Sequence, residues 1–156
     1  MIESRRARHE SWMRRALDLA VSSPSPRDVP VGAVVYDSAG VELGYGANER
    51  EHRGDPTAHA EILALRMAAE AVGSWRLEGC TLVVTLEPCT MCAGATILAR
   101  VDAVVFGAWE PKTGAVGSLY DVLRDPRHNH QPEVYPEVLA DDSAALLRAF
   151  FGRPTP

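Results

Sequence analysis

Several things are scarce in this chain, and each scarcity excludes something. Its 156 residues hold three cysteines, too few for a disulfide framework at this size. No apolar run approaches the roughly 18 residues that a membrane span needs. Arg14 and Arg15 interrupt what would have to be the apolar region of a secretory signal, and Glu3 and Glu10 argue against an organelle presequence. Positive charge is also short. The net charge of −5 rules out a broadly basic surface, although local patches survive at Arg5, Arg6, Arg8, Arg14 and Arg15, at Arg50 and Arg53, and at Arg124 and Arg127. Neither an internal repeat nor a linker is visible. These absences fit a cytoplasmic protein with no membrane partner, folded as a single domain over 1–152 with a short disordered tail over 153–156.

What is present has the periodicity of an α/β fold. Trp12, Met13, Ala16, Leu17, Leu19 and Ala20 share helical spacing and predict an amphipathic helix over about Arg8–Ser22, stopped by Ser23-Pro24-Ser25-Pro26. Val29–Asp37 reads as a buried strand, followed by a turn at Ser38-Ala39-Gly40 and a second strand through Tyr45. Asp55-Pro56 predicts a helix N-terminus and Gly73 its end. Thr81–Leu86 is a strand, Cys89–Arg100 a helix and Val101–Gly107 a strand. A last helix over about Asp141–Phe151 is expected to pack through Ala144, Leu146, Leu147, Phe150 and Phe151. Strands alternating with helices after an opening hairpin imply a mixed sheet. Cys80, at a strand start, reads as a buried small hydrophobe.

The chemistry is concentrated in two segments, Thr57-Ala58-His59-Ala60-Glu61 and Glu87-Pro88-Cys89-Thr90-Met91-Cys92. One imidazole and two thiolates are three zinc ligands, and a catalytic zinc site has three protein ligands with one position open, where a structural site has four. Cys89 and Cys92 are three apart at a helix start, so they share a face and meet the positive end of the helix dipole. His59 and Glu61, two apart, can address one metal only where the first turn opens. Two thiolates offset the charge of Zn2+, which makes a nearby base more necessary. Glu61 supplies it: it would take a proton from water, pass it to a ring nitrogen and then assist ammonia's departure. His-x-Glu followed by Pro-Cys-x-x-Cys is a signature of zinc deaminases. Two other readings stay open. Cys-x-x-Cys is also a redox pair, and His128 or His130 would complete a structural four-ligand site.

Longer segments narrow the reading. Val29–Val34, Asp55–Ile62, Thr85–Ala95, Val105–Ala108, Lys112–Ala115 with Gly117–Leu119, and Asn129-His130 together resemble the bacterial tRNA-specific adenosine deaminases of the cytidine/deoxycytidylate deaminase superfamily. The resemblance implies a three-layer α/β/α cytidine-deaminase-like fold, a homodimer, and conversion of adenosine to inosine at the wobble position of a tRNA anticodon stem-loop. By position it makes Asn48 a base contact, Val31 and Leu86 apolar pocket walls, Glu87 a glutamate near the metal, and Glu110 and Lys112 substrate-binding. Glu110 follows Trp109 where the family usually has Asp, so its carboxylate stands on a longer stem. The chain ends in Arg153-Pro154-Thr155-Pro156 where the family often carries basic residues, from which weaker RNA affinity is expected. The competing enzyme reading is a deaminase of free guanine, cytosine or cytidine; the non-enzymatic one is an RNA-binding scaffold that keeps zinc for stability.

Overall fold

A computed structural model describes residues 2–153. Among them the elements run α1 (Arg5–Ala20), β1 (Gly32–Tyr36), β2 (Glu42–Ala47), α2 (Arg50–Arg53), α3 (Ala60–Val72), β3 (Thr81–Leu86), α4 (Thr90–Leu98), β4 (Ala103–Ala108), β5 (Glu133–Tyr135) and α5 (Ala140–Phe151). The sheet order is β2-β1-β3-β4-β5. β1 pairs antiparallel with β2 and with β3, whereas β3–β4 and β4–β5 are parallel. The sheet is therefore mixed, as the alternation of elements implied. Among the described residues no helix is long and apolar enough to cross a membrane.

Period-two alternation in the central strands builds the three layers. Ala33, Val35, Leu82, Val84, Val104 and Phe106 face one side, where they meet Ala64 and Ala68 of α3 and Ala93 and Ile97 of α4. Val34, Tyr36, Val83 and Val105 face the other, against Met13, Ala16 and Leu19 of α1. Cys80 is buried in the first of these clusters.

Several boundaries differ from expectation for identifiable reasons. α1 begins three residues early because the Ser4 hydroxyl accepts from the Ala7 N–H at 3.1 Å, a full N-cap. Asp55 does not cap α3. Its carboxylate binds the Thr57 N–H and hydroxyl, both at 2.8 Å, in a local turn, and the extended His59 is the N-cap instead. Gly73 ends α3 at φ 71° as expected. α2 and β5 carried no sequence signal: one is four residues long and the other three. In α5 the buried residue is Ser143, set against Gly107, while Ala144, Leu146, Leu147 and Phe150 are half-buried and Phe151 is 69% exposed. Of the expected tail, residues 154–156 lie outside the described residues; Arg153 donates to the Pro26 carbonyl.

β2 lies against α3 through glycine. A Cβ on Gly44 would stand 2.3 Å from the Ala64 carbonyl oxygen and 2.6 Å from the Ala68 nitrogen. Because both obstacles are backbone, relief requires α3 to shift off the sheet. Gly44→Ala is expected to destabilise the fold by about 1–3 kcal/mol, read as a lower urea midpoint at unchanged slope. An unchanged midpoint would contradict this close approach.

Candidate active site

β3 runs out at Leu86, and Glu87-Pro88 carry the chain to Cys89, an extended residue that is the N-cap of α4; Cys92 lies buried in the helix's first turn. His59 holds the same position before α3, with Glu61 in that helix's first turn and only 4% exposed. Two helix N-termini thus converge, and their unpaired N–H groups favour negative charge between them. Placing His59 outside the helix resolves the two-residue spacing, because the two side chains no longer have to follow one helical face.

Cys89 Sγ and Cys92 Sγ each lie 3.6 Å from His59 Nδ1, and the three donor atoms are within 4.8 Å of one another. A tetrahedral zinc with Zn–N of about 2.05 Å and Zn–S of about 2.3 Å separates its nitrogen and sulfur ligands by about 3.6 Å. The donor set therefore fits zinc in both type and spacing. Among the described residues it is the one cluster of metal-type donors, and neither His128 nor His130 belongs to it. The His130 ring contacts the Val101 carbonyl at 2.6 Å instead. Three protein ligands with no fourth is the open arrangement of a catalytic site.

The titration of the cluster reflects its crowding. The hydrogen bond from Cys92 pulls the Cys89 thiol down to about 4, against burial and with help from His59. The same contact, with burial and Glu61 adding to it, holds Cys92 protonated. The two sulfurs thus share one ionisation, an asymmetry that a divalent cation removes by favouring both thiolates. His59 is raised by its Cys89 contact. Burial pushes the Glu61 carboxyl above the usual carboxylate range, opposed by its own N–H, Cys92 and His59. A group poised in this way can both take and return a proton.

A cavity of about 160 Å³ opens on this cluster. It is smaller than the roughly 300 Å³ at which sites for drug-sized ligands begin, so it suits a single planar base with its sugar outside. A larger cleft, about 990 Å³, lies between α1 and the start of α5. It is open and is not lined by His59, Cys89 or Cys92, so chemistry rather than size identifies the smaller one as the site.

The pocket brings together Val31, Asn48, His59, Glu61, Leu86, Glu87, Cys89 and Glu110 from the sequence candidates. Lys112 is exposed and not in the wall, although it lies between Glu110 and Thr113, which are. Asn48 donates to the Val29 carbonyl at 3.1 Å and accepts from the Arg50 N–H at 3.1 Å. That leaves one N–H and one lone pair for a ligand. Glu87 is 3% exposed, and its two oxygens accept from the Glu110, Val116 and Ser118 N–H groups and the Ser118 hydroxyl. It fixes the loop over 110–118 beside the metal ligands. Cys89 forms a bridge with Gly114, and the Ala115 N–H donates to the Pro88 carbonyl at 2.8 Å. Gly114 has no room for a Cβ, which would meet the Glu87 carboxylate at 2.3 Å.

Five further residues line the pocket without having been singled out for it: Val29, Arg50, Ala60, Thr113 and Phe151. Phe151 had read as a core position, and Arg50 as part of a surface patch. Only folding brings both to the mouth.

Comparison with known proteins agrees with this geometry. Residues 6–108 match the family described as the cytidine and deoxycytidylate deaminase zinc-binding region. A tRNA-specific adenosine deaminase of Bacillus subtilis is 45% identical over 91% of this chain and 88% of its own. One from Haemophilus influenzae is 47% identical over 91% and 82%. Among solved structures, one from studies of A-to-I editing by tRNA:A34 deaminases superposes with a TM-score of 0.83 at 42% identity, over 88% of this chain and 99% of that one. A structure of the protein NE0047 with 2,6-diaminopurine superposes with a TM-score of 0.82 at 27% identity, covering 94% and 83%.

Proposed function

Because the chain belongs to the cytidine and deoxycytidylate deaminase family, within the group of tRNA-specific adenosine deaminases, we propose that it converts adenosine to inosine at the wobble position of a tRNA anticodon, releasing ammonia. The observation that carries the reading is a buried carboxylate, Glu61, beside a three-donor zinc set at the floor of a base-sized pocket.

His59, Cys89 and Cys92 hold the metal, which when bound supplies Lewis acidity toward water at its open position. Every proton movement falls to Glu61. It accepts a proton from the water that adds to C6 of the purine and delivers it to the ring nitrogen beside that carbon. It then carries the second proton from the new hydroxyl to the exocyclic amine, the C6–N bond breaks, and ammonia leaves with inosine's carbonyl formed. Val31 and Leu86 sandwich the base, and Asn48 offers its remaining N–H and lone pair to the base edge. Glu110 reaches the ribose that stays outside. A wobble base is already accessible in its loop, so little unstacking is needed.

A tRNA substrate places the protein in the cytoplasm. A homodimer belongs to the same reading: Ile62 of α3, Ala95 and Leu98 of α4 and the exposed Trp75 surround an apolar cleft that a second copy would cover.

A second reading, deamination of a free base, is favoured by the likeness to NE0047 with its bound purine analogue. It is the weaker one, since identity there is 27% against 45% and 47% for the tRNA-specific relatives. The experiment is inosine formation by zinc-loaded protein on an arginine-tRNA anticodon stem-loop with wobble adenosine, run beside free adenosine, guanine, cytosine and cytidine. Inosine is expected from the stem-loop alone. Turnover of a free base with none from the stem-loop would overturn the proposal and leave the zinc chemistry intact.

A further inference from the structure

α2 is four residues long, and its N-cap residue, Glu49, makes no capping hydrogen bond with its side chain. A helix this short does not form on its own, and its first N–H groups have no partner inside the helix. Two side chains from outside it meet them. The Arg50 N–H donates to Asn48 Oδ1 at 3.1 Å. The Glu51 and His52 N–H groups donate to Asp28, at 2.6 Å to Oδ1 and at 3.2 Å to Oδ2. Asp28 belongs to the segment before β1 and is only 5% exposed; the Ser23 hydroxyl donates to its Oδ2 at 2.6 Å. A carboxylate so buried is stable only because donors replace its water, and two of the three donors are the start of α2.

What Asp28 ties together is the cradle of Asn48. Its chain neighbour Val29, a wall residue of the catalytic pocket, accepts from Asn48 Nδ2 at 3.1 Å. The neighbour of Glu51 is Arg50, also in the wall, whose N–H is the partner of Asn48 Oδ1. One carboxylate therefore joins two chain segments beside the two partners of a single amide. Reversing that amide would set its oxygen against the Val29 carbonyl and its nitrogen against the Arg50 N–H. The remaining N–H and lone pair of Asn48 thus keep a set order for as long as the two segments stay in place. A second tie between them, Arg27 to Glu51 at 2.5 Å, has side chains 70% and 35% exposed and contributes little.

Resting on the proposed reaction, we propose that Asp28 is a positioning residue for it: by capping α2 from another segment, it holds the Asn48 amide in the orientation that meets the base edge. Asp28 is not in the wall of the catalytic pocket. It acts through Val29, α2 and Asn48, and has no contact of its own with the base.

The test is a double-mutant cycle on zinc-loaded protein, read as inosine formation on the anticodon stem-loop. Asp28→Ala should lower kcat/KM by at least about tenfold, toward the hundredfold that a displacement of about 1 Å is worth. The loss should divide between kcat and KM as it does in Asn48→Ala. In an Asn48→Ala background the same substitution should change kcat/KM by no more than about twofold, because the group it acts through is gone. Zinc content should be the same in every variant. Amide exchange should quicken over 50–52 and keep its parental rate in α3, which separates local loosening from a loss of global stability. Asp28→Asn keeps the Glu51 bond through Oδ1 and can donate to the Ser23 hydroxyl through Nδ2, so it forfeits the His52 bond alone and should lose only about fivefold. Ser23→Ala removes the third donor to Asp28 but leaves both bonds to α2, and should keep the parental rate.

Equal losses in the parental and Asn48→Ala backgrounds would overturn the assignment, since Asp28 would then act independently of Asn48. Parental kcat/KM in Asp28→Ala, or in Asp28→Asn should the alanine protein not fold, would overturn it too. So would a fall in Ser23→Ala as large as that in Asp28→Ala, which would place the effect in the turn before Asp28 rather than in α2. A parent that deaminates a free base and makes no inosine from the stem-loop would sink the proposed function alone, and the same cycle run on that base would still decide the role of Asp28.

Discussion

Replacing Glu61 with glutamine should abolish deamination while the protein still folds and holds its metal. The side chain is not among the three donors that lie within 4.8 Å of one another, so zinc content should remain one per chain. Glutamine has nearly the same shape and can keep a hydrogen bond to the helix N-terminus. Burial already disfavours ionised Glu61, so a neutral replacement removes that desolvation cost, and thermal stability should be unchanged or higher. A single positioned acid or base is worth about 10²–10⁴ in rate. Here one group serves every transfer in turn, and no second carboxylate in the pocket is free to replace it: Glu87 has both oxygens committed to the loop. The loss in kcat should therefore reach the upper end, about 10⁴-fold, with little change in substrate binding. Measured zinc content, melting temperature and single-turnover inosine formation separate the outcomes. Residual activity within tenfold of the parent would show that the proton carrier is some other group.

The metal centre was legible because zinc chemistry restricts residue type and spacing so tightly. One His and two Cys at helix starts, with a carboxylate beside them, leave few alternatives. The central strands were legible for a similar reason. Thr81–Leu86 is a short β-rich run that Pro88 closes, and its observed limits are those residues. Elsewhere one local signal had two uses. Asp55-Pro56 satisfies the composition of a helix N-terminus, yet the Asp55 carboxylate closes a turn on Thr57, and helix formation waits until residue 60. Phe150 and Phe151 both fit an apolar stripe, but α5 meets the sheet through Ser143 and Gly107, which turns Phe151 toward the pocket. The wall residues Arg50 and Phe151 lie a hundred residues apart, and no periodicity relates them. The pairing state of the arginines was equally hidden, since Arg15 finds Glu42 and Arg27 finds Glu51 only across the fold.

Glu87 shows how a residue can be noticed in the sequence and its role still be missed. Standing between a strand and the first metal-binding cysteine, it reads as a group near the metal. Its function is visible only in the donors that come to it from residues 110–118. The resulting prediction is graded. Glu87→Ala removes the acceptor for three N–H groups and a hydroxyl at a site only 3% exposed. Unmet buried donors cost about 1–3 kcal/mol each. The loop will partly relax toward water, so a net loss of about 3 kcal/mol is expected. Glu87→Gln should be milder, because the amide has one favourable orientation. With its nitrogen in place of Oε1 it can donate to the Ser118 hydroxyl and loses only the Glu110 N–H, whereas in place of Oε2 it would face the N–H groups of both Val116 and Ser118. Both variants keep His59, Cys89 and Cys92, so zinc should still bind, but the loop carries Glu110 and Thr113 into the pocket wall and is bridged to Cys89. Displacing such positioning groups by about 1 Å is worth about a hundredfold in rate, and that is the expected fall in kcat/KM for Glu87→Ala. Urea midpoints, zinc content and kcat/KM for the two variants should fall in the order parent, Gln, Ala for stability and rate, with zinc constant. A Glu87→Ala protein with parental stability and rate would mean that the loop is held by its backbone bridges alone.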